Sequence, residues 1–448
     1  MAAVANTGRT RGWLGQGESA RRNGAWAVAQ QIVNVGFAGL MSILLARALP
    51  IADFGVYSYA TAIAGLGVAI MFGGIQALGV REFRTPSAHR QVVLSALFAI
   101  REIFALVVYV TFVSYTAIFG GSGVLLPTAI AALAVFARVL DAPELVFQAD
   151  LRTRIPAAIR VVVGLVFFVA RVVILLVAPD VLTFVALFVA EQAVAAAAIY
   201  FAYRFIDRQS RRRTFESKYT WSLFRSAMPL SLSSIANQVN LRADVLILQA
   251  IAGSSAVAVY SAAAKVSELL YFVPTAYMAA TFPALLDLRA RGEEADYDRA
   301  LRRGFASAFY LGIGVVAVVV ASADVIVGVL YGDRYAESAA ILRIYSLTTP
   351  FVFMAAVLSK WIVAEGVLWV SFLRHALGAV AAVALNLMLV PRYGPEGAAW
   401  ATVVSYVTAS YLFAFASSRT RRVALTMTTA PATEAAAWVR TRTRRGVE

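Results

Sequence analysis

Ionisable side chains interrupt the long apolar runs of this chain at helical intervals. Arg138, Asp141 and Glu144 recur every third residue inside one run, so they share a broad helical face. Arg171 and Glu191 sit in two neighbouring runs, at similar distances from the short loop that joins them. Arg242 and Asp244 lie two residues apart, and Lys265 and Glu268 follow one turn apart in the next run. Arg101 with Glu102, and Lys360 with Glu365, complete the set, the last pair at a helix end where Lys reaches the membrane surface and acts as an anchor. Inside hydrocarbon each such group costs about 2.5 to 3.5 kcal/mol unless it is paired or faces water. Mutual neutralisation that holds helices together accounts for any single pair as well as function does. For the set as a whole it accounts less well, because small residues such as Gly65, Gly67, Gly73, Gly74, Ala262, Ala263 and Ala264 pack helices at lower cost. A water-filled cavity lined by Arg and Lys fits better, and its chemistry is anion recognition: a guanidinium fork matches the oxygens of a diphosphate. Asp141, Glu144, Glu191, Asp244 and Glu268 are the acidic cavity candidates; Glu191 and Asp244 are placed to carry a proton, although pairing with Arg would hold either ionised.

The elements that position these groups are transmembrane helices. Of 448 residues, 60% are hydrophobic and 15% charged, a membrane-protein composition. At roughly 20 residues per crossing the chain has room for about a dozen spans and no sizeable soluble domain. The runs predict helices over 24–48, 54–80, 92–119, 123–147, 155–178 and 181–206, then over 223–251, 256–286, 304–330, 336–364, 367–390 and 395–417. The fold class is therefore all-α and polytopic. The expected division is a cytoplasmic N-terminus (1–23), an N-lobe (24–206), a basic linker (207–222) containing Arg211, Arg212 and Arg213, a C-lobe (223–417) and a basic cytoplasmic tail (418–448). The tail is expected either as a surface amphipathic helix around Trp438 or as a disordered segment.

Net charge is +15, and the basic residues fall in alternate loops: the N-terminus, 81–90, 152–160, 204–225, 289–303 and the tail. Loops 120–123, 178–180 and 251–254 between them are nearly uncharged. This alternation is a membrane-orientation signal that places both termini in the cytoplasm, and it removes nucleic acid as a partner. Cysteine is absent and only His89 and His375 offer imidazole, so no metal, thiol chemistry or cofactor is expected. The polar first twenty residues carry no cleaved signal peptide.

Laying the first hairpin on the seventh and eighth helices aligns Gly55-Val56-Tyr57-Ser58 with Ala258-Val259-Tyr260-Ser261. In the same register Asn34 falls on Asn237, Ile32 on Ile235 and Leu45 on Leu248. An even helix count per half leaves both halves the same way up, with a pseudo-twofold axis along the membrane normal. Gln30, Gln31, Asn34, Asn237, Gln238 and Asn240 lie in the corresponding stretches of the two halves, with Asn34 and Asn237 in register, and are suited either to sugar hydroxyls or to interhelical hydrogen bonds.

Several segments, in order, resemble the oligosaccharide flippases, or polysaccharide biosynthesis proteins, of the multidrug/oligosaccharidyl-lipid/polysaccharide exporter superfamily. They are Leu45-Ala46-Arg47-Ala48-Leu49-Pro50 with Asp53-Phe54-Gly55-Val56-Tyr57; Ala227-Met228-Pro229-Leu230; Arg242-Ala243-Asp244; Val259-Tyr260-Ser261-Ala262-Ala263; Phe282-Pro283; Leu330-Tyr331-Gly332-Asp333-Arg334-Tyr335; and Asn386 to Gly394 with Gly397-Ala398-Ala399. The resemblance implies two six-helix lobes in a V-shaped fold, alternating access, and movement of an isoprenoid-diphosphate-linked oligosaccharide from the cytoplasmic to the outer leaflet of the cell membrane. It implies a basic cavity at Arg242 and Lys265, and more loosely at Arg138 and Arg171. The implied partners are the lipid-linked oligosaccharide, the bilayer and polysaccharide polymerase or ligase machinery.

A cation-coupled multidrug exporter of the same superfamily is the nearest rival, but its cavity is expected to be more acidic and aromatic. A membrane glycosyltransferase or polymerase needs a long extracytoplasmic loop, and the outer loops here are too short. Gly120-Gly121-Ser122-Gly123 has the form of an intramembrane serine protease motif, yet His375 lies toward the opposite membrane face. No GxxxxGK[ST] loop is present for ATP. The sequence therefore reads as a transporter rather than an enzyme.

Overall fold

The computed structural model describes residues 33, 35–84, 90–206 and 214–445, and every regular element among them is helical. Asn34, Gln30, Gln31, His89 and the linker arginines lie outside the described residues. Among the described residues, nine helical stretches are long and apolar enough to cross a membrane, besides the shorter apolar helix α1 (Val35–Ala48). Two of the nine are far longer than one crossing. Ser217–Leu270 (α10) has 54 residues and Trp369–Phe415 has 47; at 1.5 Å per residue these would reach roughly 80 and 70 Å, over twice a hydrocarbon core of about 30 Å. Each breaks at a glycine in a left-handed conformation, Gly253 (φ 80°) and Gly394 (φ 53°), so each makes two crossings. The twelve spans and the all-α exporter class expected from the sequence are thereby accounted for.

The remaining helices are α2 (Ile51–Phe72), α3 (Ile75–Arg84), α4 (Arg90–Phe119), α5 (Ser122–Ala132), α6 (Ala134–Ala137) and α7 (Glu144–Ala149). They continue with α8 (Arg154–Val177), α9 (Val181–Ile206), α11 (Phe272–Ala290), α12 (Glu294–Tyr331), α13 (Glu337–Ser346), α14 (Thr349–Ala364), α15 (Leu368–Ser410) and α16 (Ser418–Arg445). The fourth span is not one helix. Between α6 and α7 the chain tightens into a 3-10 turn at Arg138–Asp141. Pro143 is the cause: it has no N–H to give to the Val139 carbonyl, which instead accepts from Ala142 N at 3.2 Å. The second span breaks at Gly73-Gly74, where Gly74 takes φ +56° and a Cβ would meet Leu230 Cβ and Ser231 N at 2.6 Å. Both the dihedral and the close approach demand glycine there.

The chain forms two compact units. One comprises Ile63–Ile118, Ser122–Ser231 and the described residues before Leu49; the other comprises Leu49–Ala62, Phe119–Gly121 and the chain from Leu232 onward. In the second, Phe305, Phe353, Val357 and Leu358 build an apolar core between α12 and α14. Helix α16 joins that core through Val423, Ala424, Met427 and Ala430, and Tyr310 OH donates to the Pro431 carbonyl at 2.9 Å. The first half of the tail is therefore docked on α12, which neither expectation for it included: its small apolar face fits a helix surface better than a membrane surface.

Candidate functional site

In the first unit the 3-10 turn delivers Asp141 into a nest of arginines. Arg101, 1% exposed, donates from Nη1 to Asp141 Oδ1 at 3.0 Å. Arg160, two turns into α8, donates from Nη2 to Asp141 Oδ2 at 2.9 Å and to Glu144 Oε2 at 2.5 Å. Arg138 Nε approaches Oδ2 to 2.7 Å as a charge contact whose angle is wrong for a hydrogen bond, and its Nη1 donates to Gln192 Oε1 at 3.0 Å. Phe72, the last residue of α2, takes the guanidinium carbons of Arg101 and Arg138 over its ring at 4.7 and 5.0 Å. Three guanidinium groups thus face two carboxylates, an excess of one positive charge. Separately, Arg171 on α8 donates from Nη2 to Glu191 Oε2 on α9 at 2.6 Å, the pairing that equal depth in the sequence implies.

In the second unit Arg242 donates from Nη1 to Glu268 Oε1 at 3.0 Å, with both side chains about a third exposed or less. Asp244 turns elsewhere, accepting from Tyr260 OH and, at 2.8 Å, from Val245 N. Tyr260 OH also meets Thr402 Oγ1 at 3.0 Å. Aromatic rings close in around these groups: Tyr260 packs on Tyr345 and Tyr271 on Tyr406, with centroids 5.9 and 6.4 Å apart. Lys265 is half-buried one turn before Glu268 and has no hydrogen bond or ion pair among the described residues. Asn240 is buried with Oδ1 unbonded, and Asn237 is half-buried on the same helix.

The candidate residues therefore fall into separate groups. Arg138, Asp141 and Glu144 come together in one unit with Arg171–Glu191 as a distinct pair; Arg242, Asp244, Lys265 and Glu268 gather in the other. Sequence reasoning missed Arg160, which it counted as a basic loop residue, and Phe72, Gln192 and Tyr260, whose roles depend on partners far along the chain. It also passed over Arg374, although an ionisable residue inside an apolar run was the signal used for the others.

A profile of polysaccharide biosynthesis proteins matches residues 20–289, and one named MatE matches residues 229–388. The chain is 28% identical over 185 residues to the "Probable flippase AglR" of Haloferax volcanii, a match covering 38% of this chain and 36% of that relative. Among solved structures, its fold is similar to that of the lipid II flippase MurJ in an inward closed conformation, with TM-score 0.66, 13% identity and 91% of each chain covered. It is also similar to an inward-facing multidrug resistance MATE family transporter, with TM-score 0.62, 16% identity, and 89% of this chain and 96% of that one covered. The profile covers more than half of the chain, and the structural likenesses bear out the exporter fold; the chain belongs to the polysaccharide biosynthesis protein family of the multidrug/oligosaccharidyl-lipid/polysaccharide exporter superfamily.

Proposed function

We propose that this protein flips an isoprenoid-diphosphate-linked oligosaccharide from the cytoplasmic to the outer leaflet of the cell membrane by alternating access. The observation that carries this reading is the positive excess held inside the spans. Three arginines outnumber Asp141 and Glu144 in one unit. In the other, Arg242 and Lys265 equal Glu268 and Asp244 in number, but Asp244 turns to Tyr260 and Lys265 is left without an ion pair among the described residues. A transporter of anions needs such an excess, because the site must compensate a diphosphate that leaves water. Lys265 is the first candidate diphosphate ligand, with Arg242 beside it. Arg138 and Arg171 would take part only if substrate displaced their carboxylates. Asn237, Asn240 and the tyrosines around Asp244 offer hydroxyl and ring contacts to the glycan. In this reading the basic loops, the N-terminus and the start of the tail face the cytoplasm, and polymerase or ligase machinery consumes the flipped product.

One second reading has its own support. Asp244 is buried, its bonded partners are neutral, and the MatE profile covers it, which suits a cation-coupled multidrug exporter. Depleting the protein separates the two. A flippase leaves completed lipid-linked oligosaccharide accumulating on the cytoplasmic leaflet while surface glycan falls. Normal precursor and normal surface glycan, in cells without a redundant flippase, would favour the drug exporter.

A further inference from the structure

Arg101, Arg138, Arg160, Arg171 and Arg242 each have a carboxylate within 3.0 Å. Arg374 does not. It lies two turns into α15, is 8% exposed, and buries Nε and Nη1 without a hydrogen-bond partner. No ion pair reaches it among the described residues. The acidic residue nearest to it in sequence, Glu365, is already held by Arg289 Nη2 at 2.9 Å and Tyr297 OH at 3.1 Å. A guanidinium cannot shed its proton to escape burial as an ammonium can. An unmatched buried charge is among the costliest features a fold can carry, and none of the described residues supplies the anion it calls for.

A second orphan lies one turn further along. A Cβ at Gly378 would come within 3.0 Å of Asn240 Cγ and Oδ1, so α15 and α10 are in close contact there. Asn240 Oδ1 is a buried acceptor without a donor. A donor fork lacking an anion, followed one turn on by an acceptor lacking a hydroxyl, suits a phosphate esterified to a sugar. We infer that Arg374 anchors a phosphoryl-binding site between α15 and α10, distinct from Lys265, which takes the diphosphate of a glycosylated lipid. That the phosphate belongs to a lipid rests on the transport reading above; the anion site does not.

Thermal unfolding of the full chain in nanodiscs of zwitterionic lipid tests this, with farnesyl diphosphate and inorganic diphosphate as probes. Wild type should melt higher with farnesyl diphosphate. With Lys265→Gln in the background of every Arg374 variant, so that the other diphosphate ligand is gone, R374Q, relieved of an unmatched charge, should melt at or above its parent without ligand and should lose most of the ligand-induced rise. R374K, which keeps the charge but not the fork, should retain part of it. A rise with farnesyl diphosphate alone assigns the anion to a lipid headgroup, and an equal rise with inorganic diphosphate assigns it to a soluble source; both support the site. No rise in the Lys265→Gln parent with either probe, or an undiminished rise in R374Q, overturns it. Neither outcome depends on whether precursor accumulates on depletion, so the site and the transport reading fail separately.

Discussion

Asp141 and Lys265 show two uses of charge inside a membrane protein. Asp141 is almost sealed from solvent and meets Arg101, Arg138 and Arg160, which arrive from three different segments of the chain. Removing its charge leaves three guanidinium groups to share Glu144. Breaking a buried pair in this way costs about 3 to 5 kcal/mol, so Asp141→Asn should unfold far more easily than wild type. Lys265 holds no ion pair or hydrogen bond among the described residues and feels Glu268 only across one helical turn, so Lys265→Gln should fold normally while failing to move lipid-linked oligosaccharide. Unfolding in nanodiscs and a flipping assay on both variants decide the matter. An Asp141→Asn protein as stable as wild type removes the structural role, and flipping at the normal rate by Lys265→Gln removes the substrate role.

At the level of helices, glycine decides where two elements touch. Gly312 on α12 faces the backbone of Pro350 at the start of α14, and a Cβ there would stand 2.6 Å from Pro350 Cα. A proline backbone at a helix N-terminus cannot move aside as a side-chain tip can. Gly312→Ala should therefore push α12 from α14 and cost about 1 to 3 kcal/mol. Gly314, two residues on, has open space around it, and Gly314→Ala should be neutral or gain up to about 1 kcal/mol from helix propensity. Equal melting temperatures for the two variants would mean that the α12–α14 contact is not fixed at this glycine. The apolar runs announce these helices plainly, and counting depth from a shared loop pairs Arg171 with Glu191 from sequence alone. Contacts across the bundle are a different matter. Arg160 looks like one more basic residue of a cytoplasmic loop, because nothing in its neighbourhood along the chain shows that α8 turns it toward Asp141. Tyr260 reads as part of a repeat, and its bond to Asp244 exists only once α10 has turned at Gly253.

For the molecule as a whole, orientation rests on loop charge. Basic residues occupy alternate loops and the apolar loops between them are short, and the positive-inside bias assigns the basic set to the cytoplasm. The proposed export direction requires that assignment, since a substrate assembled on the cytoplasmic leaflet must meet an inward opening first. The absence of cysteine makes the orientation directly measurable, because any thiol introduced is the sole target of a maleimide. Pro179 lies exposed in the loop between α8 and α9, and Glu293 lies exposed between α11 and α12. In intact cells a membrane-impermeant maleimide should label Pro179→Cys and spare Glu293→Cys, and permeabilised cells should show both. The reverse pattern would turn the protein over in the membrane and exclude export of a cytoplasmic precursor. Labelling of both sites from outside would break the even alternation of loops on which the twelve-span topology depends.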